Sequence, residues 1–429
     1  MNPTAARNFS RLIYYLIRYS NIFYAIYVKN WRRGFINILY LTQFFSVTRG
    51  GGEVVFYNLA EEMARRGHYV HVISHQIKNL KENNLNGMIN MHRIKPILEN
   101  KGGEVPSITQ NMMYIINAIL KGSQIIRQQK IDIIHANQLS PVIAGSILAK
   151  FHKIPIIITI HDVVTTSSSY SWKNWAAQKN VSRASSIIGP FFEKITVSVP
   201  VDIIHTVSNA SKEDLVKFNT KASIIRVIPP GIDLRYYDNL GVKKEYQSYV
   251  LFIGRLVYYK NLEILISSFK EITKRLPDAK LVAVGDGPMR DKWERMVSEL
   301  HLDKNIEFTG FVSHEKKVEL LSKCSALLFP SSVEGFGLVL LEAFAMSKPV
   351  LVADVKPFDE IVDEGIDGFM LPAHNADKWS EKIIFLLLNK RICEIMGSKG
   401  RLKVENKFNI KNVADKVESL YTNMWSKKS

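Results

Sequence analysis

Two glutamates flank a glycine-rich turn in residues 329–343, and their surroundings predict a ligand site. The apolar run 326–329 predicts a short buried strand, residues 330–337 have turn composition, and the residues from Leu338 onward have helical spacing. The turn therefore presents free backbone N–H groups at a helix N-terminus. Such groups and the helix dipole attract anions, and glycines let a ligand approach the backbone, so a diphosphate would fit.

Glu334 and Glu342 are eight residues apart, which is too far for direct pairing but close enough to bracket one ligand. A carboxylate repels a phosphate, so the expected partners of these side chains are the hydroxyl groups of a sugar. A purely structural role stays open at this point. Glu334 would then be solvated, and Glu342 would stabilise the first turns of its helix.

A second anion site is predicted around residues 249–261. A strand at 249–253 is followed by Gly254, and two cations, Arg255 and Lys260, stand just before a helical segment. Arginine can hold two phosphate oxygens in its planar fork, and lysine adds a mobile point charge. Cations are common in this chain, so a surface role for both residues is the alternative.

The first half of the chain has the pattern of a nucleotide-binding α/β domain. A strand at 35–41, a loop with glycines 50–52, a helix ending at Gly67 and a strand at 69–73 form a β-loop-α-β unit. A later strand, 154–160, ends in the polar residues His161 and Asp162. The carboxyl ends of strands are where such sheets bind ligands.

These motifs together resemble the retaining glycosyltransferase family 4, whose members have the GT-B fold. Glu334 and Glu342 match its E-x7-E motif, Arg255 and Lys260 match its G-R-x4-K segment, and His161 falls in a T-x-H-D segment. The glycine loop, the turns after strands 281–284 and 306–308, the segment 229–233 and the final helix at 411–425 are also similar. The resemblance runs from about residue 35 to 425.

The resemblance implies an α/β protein of two Rossmann-like domains that face each other across a cleft. Residues 1–34 would be a basic amphipathic helical extension, 35–240 an acceptor domain, 241–408 a donor domain, and 409–429 a helix that crosses back. It implies catalytic roles for His161, Arg255, Lys260 and Glu334. The implied donor-binding residues are Gly51, Gly52, Gly254, Phe311, Val312, Gly335, Phe336, Gly337, Leu338 and Glu342.

The expected reaction is transfer of a hexosyl-type sugar from a nucleoside-diphosphate sugar, with retention of the anomeric configuration. The sequence contains no Asp-x-Asp pair and no metal-ligand cluster. We therefore expect Arg255, Lys260 and helix-terminal amides to stabilise the leaving group without a metal or other cofactor. In this scheme Glu334 positions sugar hydroxyls, Glu342 binds the ribose and His161 aligns the donor sugar.

Charge and composition bear on the partners. The 429-residue chain has a net charge of +17, and residues 1–240 hold 28 basic and 14 acidic residues. No nucleic-acid-binding module accompanies this charge, which favours an anionic membrane surface over nucleic acid. The two cysteines form no disulfide framework and fit a reducing compartment.

Residues 1–52 contain no acid. Arg7, Arg11, Arg18 and Lys29 would share one helical face opposite an apolar one, which is typical of a helix lying in a membrane interface. The alternative is a helix packed on its own domain. We expect a cytoplasmic protein at the inner face of the membrane and a lipid-linked or glycan acceptor. Other functions stay open: a two-carboxylate hydrolase, a GT-B epimerase or phosphorylase, or a subunit that binds donor without catalysis.

Overall fold

The computed structural model describes residues 34–46, 51–78, 88–98, 106–163, 165 and 183–427, the side chains of 183–187 excepted. The predicted amphipathic extension lies outside these residues, apart from Gly34. The part of the chain that is described forms two parallel sheets with helices on both faces, and this confirms the predicted fold class. No helix in these residues is long and apolar enough to cross a membrane.

The first sheet has seven parallel strands in the order β3-β2-β1-β4-β5-β6-β7. They are β1 (Asn37–Leu41), β2 (Tyr69–Ile77), β3 (Ile89–Leu98), β4 (Ile133–Asn137), β5 (Ile156–Ile160), β6 (Ile203–Thr206) and β7 (Ile225–Val227). The second sheet has the order β10-β9-β8-β11-β12-β13. Its strands are β8 (Tyr249–Ile253), β9 (Lys280–Val284), β10 (Ile306–Gly310), β11 (Ala326–Phe329), β12 (Val350–Ala353) and β13 (Gly368–Leu371).

Thirteen α-helices of the described residues cover these sheets. They are α1 (Gly51–Arg65), α2 (Ile108–Gln129), α3 (Ser140–His152), α4 (Arg183–Ser198), α5 (Asn209–Lys217), α6 (Leu234–Asn239), α7 (Leu262–Arg275), α8 (Arg290–Glu299), α9 (His314–Lys323), α10 (Leu338–Ala345), α11 (Ala376–Leu388), α12 (Lys390–Lys403) and α13 (Ile410–Ser426). Both sheets reverse their strand order beside the first strand, between β1 and β4 and between β8 and β11. Ligands bind α/β sheets at such switch points.

Two apolar layers enclose the first sheet. Helices α2 and α3 contribute Tyr114, Ala118 and Leu148 to one core. On the opposite face, α1 packs against α13, although α13 is the last of the described helices. The C-terminal helix therefore completes the core of the N-terminal sheet.

A buried chain of hydrogen bonds reinforces that attachment. The Tyr421 hydroxyl on α13 lies 2.8 Å from the Tyr40 hydroxyl and 2.6 Å from Nδ1 of His135. The other nitrogen of His135 lies 2.7 Å from the Thr159 hydroxyl, which in turn lies 3.0 Å from Nδ1 of His205. All five side chains are buried. The chain links α13 to four neighbouring strands, including β5, which leads directly into His161.

Candidate functional site

A cavity of about 290 Å³ lies between the two switch points. From the first half of the chain it is lined by loops after β1, β4 and β5, and from the second half by the turn between β11 and α10. Of the predicted site residues, those that line it are Gly51, Gly52, His161, Glu334, Gly335, Phe336, Gly337 and Leu338. Gly254, Arg255, Lys260, Phe311, Val312 and Glu342 do not line it.

The glycine loop and His161 meet on the N-terminal side of the cavity. A Cβ atom at Gly52 would lie 3.0 Å from Cδ2 of the His161 ring, so a side chain there would crowd the imidazole. Gly51 has open space around its Cα. Since these glycines begin α1, the backbone N–H groups of a helix start stand beside His161.

His161 is held in a fixed orientation by two amide side chains. Its Nε2 lies 2.9 Å from Oδ1 of Asn137, and its backbone N–H donates to Oε1 of Gln138 at 2.9 Å. Burial, assisted by the neighbouring His205, lowers the pKa of His161 to about 3. The imidazole is therefore neutral near pH 7, and its Nε2–H can donate to Asn137.

Sequence reasoning missed Asn137 and Gln138, although both stand where β4 ends. The signal was available, because the rule applied to β5 applies equally to its neighbour. The next residue, Leu139, has a φ of 70°, a left-handed conformation that is costly for leucine. Thr42 and Gln43, at the end of β1, also line the cavity and were missed.

On the C-terminal side, Lys260 and Glu334 form an ion pair across 74 positions of sequence. The Ser331 hydroxyl donates to the same carboxylate at 2.9 Å. The Lys260 ammonium also lies 4.5 Å from the centre of the Phe329 ring. Both charged side chains are largely buried, with 12% and 15% of their surfaces exposed, which rules out a freely solvated Glu334.

The turn after Glu334 brings the two halves of the chain into direct contact. A Cβ atom at Gly335 would lie 2.7 Å from the His161 carbonyl oxygen, so glycine is required for this approach. The Ser208 hydroxyl donates to the Gly335 carbonyl at 3.1 Å. Gly337 has a φ of 99° and stands immediately before α10, where it turns the chain into the helix.

A carboxylate of the second half also caps a helix of the first. Glu360 accepts hydrogen bonds from the backbone N–H groups of Asn209 at 3.0 Å and Ala210 at 3.1 Å, at the start of α5. Negative charge is stabilised at a helix N-terminus. This cap and the Ser208 contact hold the two walls of the cavity together.

Glu342 lies behind the cavity rather than in its wall. It is only 6% exposed, and it accepts a hydrogen bond from Lys317 of α9 at 2.7 Å. Burial, together with the neighbouring Glu342 carboxylate, raises the pKa of Tyr237 well above its ordinary value. Glu334 and Glu342 therefore do not bracket one space, and Glu342 is part of a buried ion pair.

Three of the remaining predicted residues stand in loops of the second half and do not line the cavity. Arg255 is partly buried in the loop after β8, five positions before Lys260. Phe311 is mostly exposed in the loop after β10, while Val312 packs against the core beneath it. Within the described ranges, no three His, Cys, Asp or Glu side chains come close enough together to hold a metal ion.

Comparison with known proteins gives matches over both halves of the chain. Residues 49–236 match the sequence model described as Glycosyltransferase Family 4, and residues 239–403 match that of Glycosyl transferases group 1. An uncharacterized glycosyltransferase of Methanocaldococcus jannaschii is 32% identical over 313 residues, which cover 73% of this chain and 81% of the relative.

Two further matches extend this comparison. The UDP-Gal:alpha-D-GlcNAc-diphosphoundecaprenol alpha-1,3-galactosyltransferase of Escherichia coli is 26% identical over 75% of this chain and 83% of its own length. Among solved structures, sucrose-phosphate synthase from Thermosynechococcus elongatus superimposes with a TM-score of 0.74 at 20% identity. That superposition covers 91% of this chain and 99% of the synthase, so the two share a fold.

Proposed function

The chain belongs to glycosyltransferase family 4, and we propose that it moves a hexosyl-type sugar from a nucleoside-diphosphate sugar to a membrane-associated, lipid-linked or glycan acceptor. The observation that carries this proposal is the Lys260–Glu334 ion pair at the edge of the cavity. It places a cation suited to phosphate and a carboxylate suited to sugar hydroxyls side by side.

Donor binding would exchange the partners of this pair. The diphosphate takes the Lys260 ammonium, with Arg255 as a second cation, and the amides at the start of α10 add positive potential. Glu334 is then released to accept hydrogen bonds from sugar hydroxyls. After the exchange the Lys260 charge is paired with the diphosphate and the Glu334 carboxylate is hydrogen-bonded to hydroxyls, so neither buried charge is left without a partner.

The proposed transfer proceeds on one face of the sugar and retains its anomeric configuration. The bond from the anomeric carbon to the phosphate oxygen breaks as the acceptor oxygen bonds to the same carbon. The acceptor proton passes to the departing phosphate oxygen, and the nucleoside diphosphate leaves. Neutral His161 forms a hydrogen bond with the sugar and does not transfer a proton. Lys260 and Arg255 neutralise the leaving group, so we propose that no metal is required.

Two observations support this reading over a two-carboxylate hydrolase. The Glu342 carboxylate is engaged by Lys317 and does not line the cavity that Glu334 borders. A glycoside hydrolase needs both carboxyl groups at one bond. Contact between Glu342 and the donor ribose, which the family resemblance implies, requires this carboxylate to turn from Lys317 toward the cavity.

We place the reaction at the cytoplasmic face of a membrane. The net charge of +17 favours an anionic surface, and the two cysteines are free and buried. The Escherichia coli relative is named for an acceptor carried on diphosphoundecaprenol, which supports a lipid-linked acceptor for this chain.

The first test measures nucleotide release from a panel of UDP-, GDP- and ADP-sugars, with chelator and with membrane lipid as the acceptor source. We expect release from one donor, coupled to a new glycolipid whose anomeric configuration matches that of the donor. Lys260→Ala should abolish release, while Lys292→Ala, which removes an exposed lysine paired with Glu263, should retain it. Inversion of the anomeric centre, or a requirement for divalent metal, would contradict the proposed mechanism.

A further inference from the structure

Helix α2 is apolar on both its inner and outer sides. Tyr114, Ala118 and Ile125 pack into the core. The opposite side carries a stripe of exposed apolar side chains at helical spacing: Ile108, Met112, Met113, Ile116 and Leu120, of which Leu120 is 66% exposed. A row of several exposed apolar side chains on one side of a helix is typical of a surface that another molecule covers. We therefore expect another molecule to cover the outward stripe.

The neighbouring helices extend the same outer layer. Helix α3 packs against α2 and carries Phe151, which is 80% exposed, and α4 packs against α3. The exposed apolar residues described on α4 are Ile188, Phe191 and Ile195. We call the outward side of α2, α3 and α4 the docking face. Adjacent exposed apolar side chains on several helices are typical of an interaction surface.

Among the described residues of its three helices, the docking face presents only positive charge at its surface. The sequences of α2 and α3 contain no aspartate or glutamate. The one acid of α4, Glu193, is buried and accepts a hydrogen bond from the backbone N–H of Thr165. The cations of the face and its borders are Lys121, Arg127, Lys130, Lys150, Lys153 and Lys194. Its occupant must therefore combine negative charge with an apolar interior.

The docking face begins beside the cavity. Asn111, one position before the stripe residue Met112, accepts a hydrogen bond from Gln43 at 2.5 Å, and Gln43 lines the cavity. In the next turn of α2, the Tyr114 hydroxyl donates to the Thr42 carbonyl at 3.0 Å. A sugar acceptor that is bound to a surface in contact with α2 would therefore lie close to the cavity.

We propose that the docking face binds the surface of an anionic lipid bilayer. Apolar side chains enter the headgroup region while the cations meet anionic headgroups. The other candidate occupants have the wrong charge. Residues 1–33 hold six cations and no acid, and a second copy of the docking face would oppose like charges. The proposal deepens the proposed function, on which it rests for the membrane-held acceptor, and it adds a membrane contact independent of residues 1–33.

The test is flotation of the full-length chain with vesicles of phosphatidylglycerol and phosphatidylcholine. The combined substitutions Met112→Gln, Ile116→Gln and Leu120→Gln should lower the partition coefficient at least tenfold. The matched control is Leu388→Gln, Ile395→Gln and Leu402→Gln, which changes three exposed apolar residues of the second half and should alter partition less than twofold.

A charge variant tests the same face without changing its apolar residues. Lys150→Gln with Lys153→Gln should weaken binding to anionic vesicles at least threefold at low salt. The difference should shrink as salt is added and vanish on pure phosphatidylcholine. Both sets of variants are also measured with Arg7→Gln, Arg11→Gln and Arg18→Gln present, so that binding through residues 1–33 does not hide the effect.

Three results would overturn the proposal. One is vesicle binding that the α2 and lysine variants leave unchanged in both backgrounds. Another is binding that depends only on Arg7, Arg11 and Arg18. The third is a change of the α2 variant from dimer to monomer in sedimentation without loss of vesicle binding, which would assign the face to a second copy. Donor affinity, measured without lipid, checks folding and separates this failure from failure of the proposed transfer.

Discussion

The two walls of the cavity differ in how they handle charge. The C-terminal wall holds its charges in preformed ion pairs, Lys260 with Glu334 and, behind it, Lys317 with Glu342. The described lining residues of the N-terminal wall include no lysine or arginine. They present amide side chains, a histidine whose pKa is about 3, and the carboxylates of Glu53 and Asp162. One wall is therefore suited to exchange charge with a charged donor, and the other to orient a neutral sugar. The division assigns leaving-group stabilisation to the C-terminal half, whereas both halves contact the sugar, through Glu334 and His161.

The strongest test of the charged wall is Lys260→Met. We expect kcat/KM to fall about 10³-fold, because the departing diphosphate loses a cation and the unpaired Glu334 carboxylate repels it. The assay is steady-state nucleotide release. Adding Glu334→Gln to this variant should recover no more than about tenfold, since the repulsion is removed but the cation is still missing. A loss below tenfold in the single variant would show that Lys260 does not bind the leaving group.

On the N-terminal wall, His161→Ala should lower kcat about 10²-fold with little change in donor KM, because an orienting group is lost and the phosphate contacts are kept. The pH profile of kcat gives a sharper comparison. Since the pKa of His161 is about 3, the wild-type profile between pH 5 and 8 should contain no inflection that His161→Asn removes. Loss of such an inflection would mean that the imidazole titrates in the working range.

Acid should destabilise the N-terminal half through its buried histidines. Burial lowers the pKa values of His135, His161 and His205 below the ordinary 6.5, so the unfolded chain binds protons that the folded chain excludes. This stability is present above pH 6.5 and is lost as pH falls. For a histidine that stays neutral when folded, the loss between pH 6.5 and 5 is about 2 kcal/mol.

Denaturant unfolding at the two pH values measures this loss. His205→Gln should reduce the dependence on pH, whereas substitution of the exposed-loop residue His301 should leave it unchanged. Equal pH dependence in the wild type and His205→Gln would contradict the assignment of acid sensitivity to the buried histidines.

The smallest effect is expected from the pair behind the cavity. Glu342→Gln should raise donor KM about tenfold with kcat nearly unchanged, because one charged hydrogen bond to the donor ribose is weakened. Lys317→Met is the comparison variant, because it removes the ion-pair partner of Glu342 and leaves the Glu342 carboxylate in place. An unchanged KM for Glu342→Gln, measured by donor titration at saturating acceptor, would restrict Glu342 to a structural role.

The fold follows from sequence where apolar runs are bounded by turn residues. Strands β8 and β11 begin and end where predicted, whereas β1 begins at Asn37, two positions after the predicted start. Local spacing leaves the start of α5 ambiguous. Ser211 and Asp214 have the spacing of a capping box, but Ser208 is the N-cap and accepts from the Ser211 N–H. The pairs Ser208 with Ser211 and Ser211 with Asp214 have the same spacing. Local sequence therefore does not tell which of the two serines is the N-cap.

The site could be predicted less completely than the fold. Motif residues such as His161 and Glu334 were singled out by their positions near strand ends together with their match to the motifs of the family. The pairing of Lys260 with Glu334, and of Lys317 with Glu342, depends on how distant elements pack. Nothing in the local pattern around Lys317 separates it from the exposed lysine next to it in the sequence. Partner choice is therefore the part of the site that only the structure supplies.

The attachment of α13 has a consequence for synthesis. Tyr421 is completely buried among residues of the first sheet. Its hydroxyl lies within hydrogen-bond distance of the Tyr40 hydroxyl and of the His135 ring. Chains emerge from the ribosome N-terminus first. One apolar face of the first sheet therefore stays uncovered while the entire second sheet is translated. It becomes complete only after α13 has emerged, so termination before α13 leaves the half that was made first unfinished.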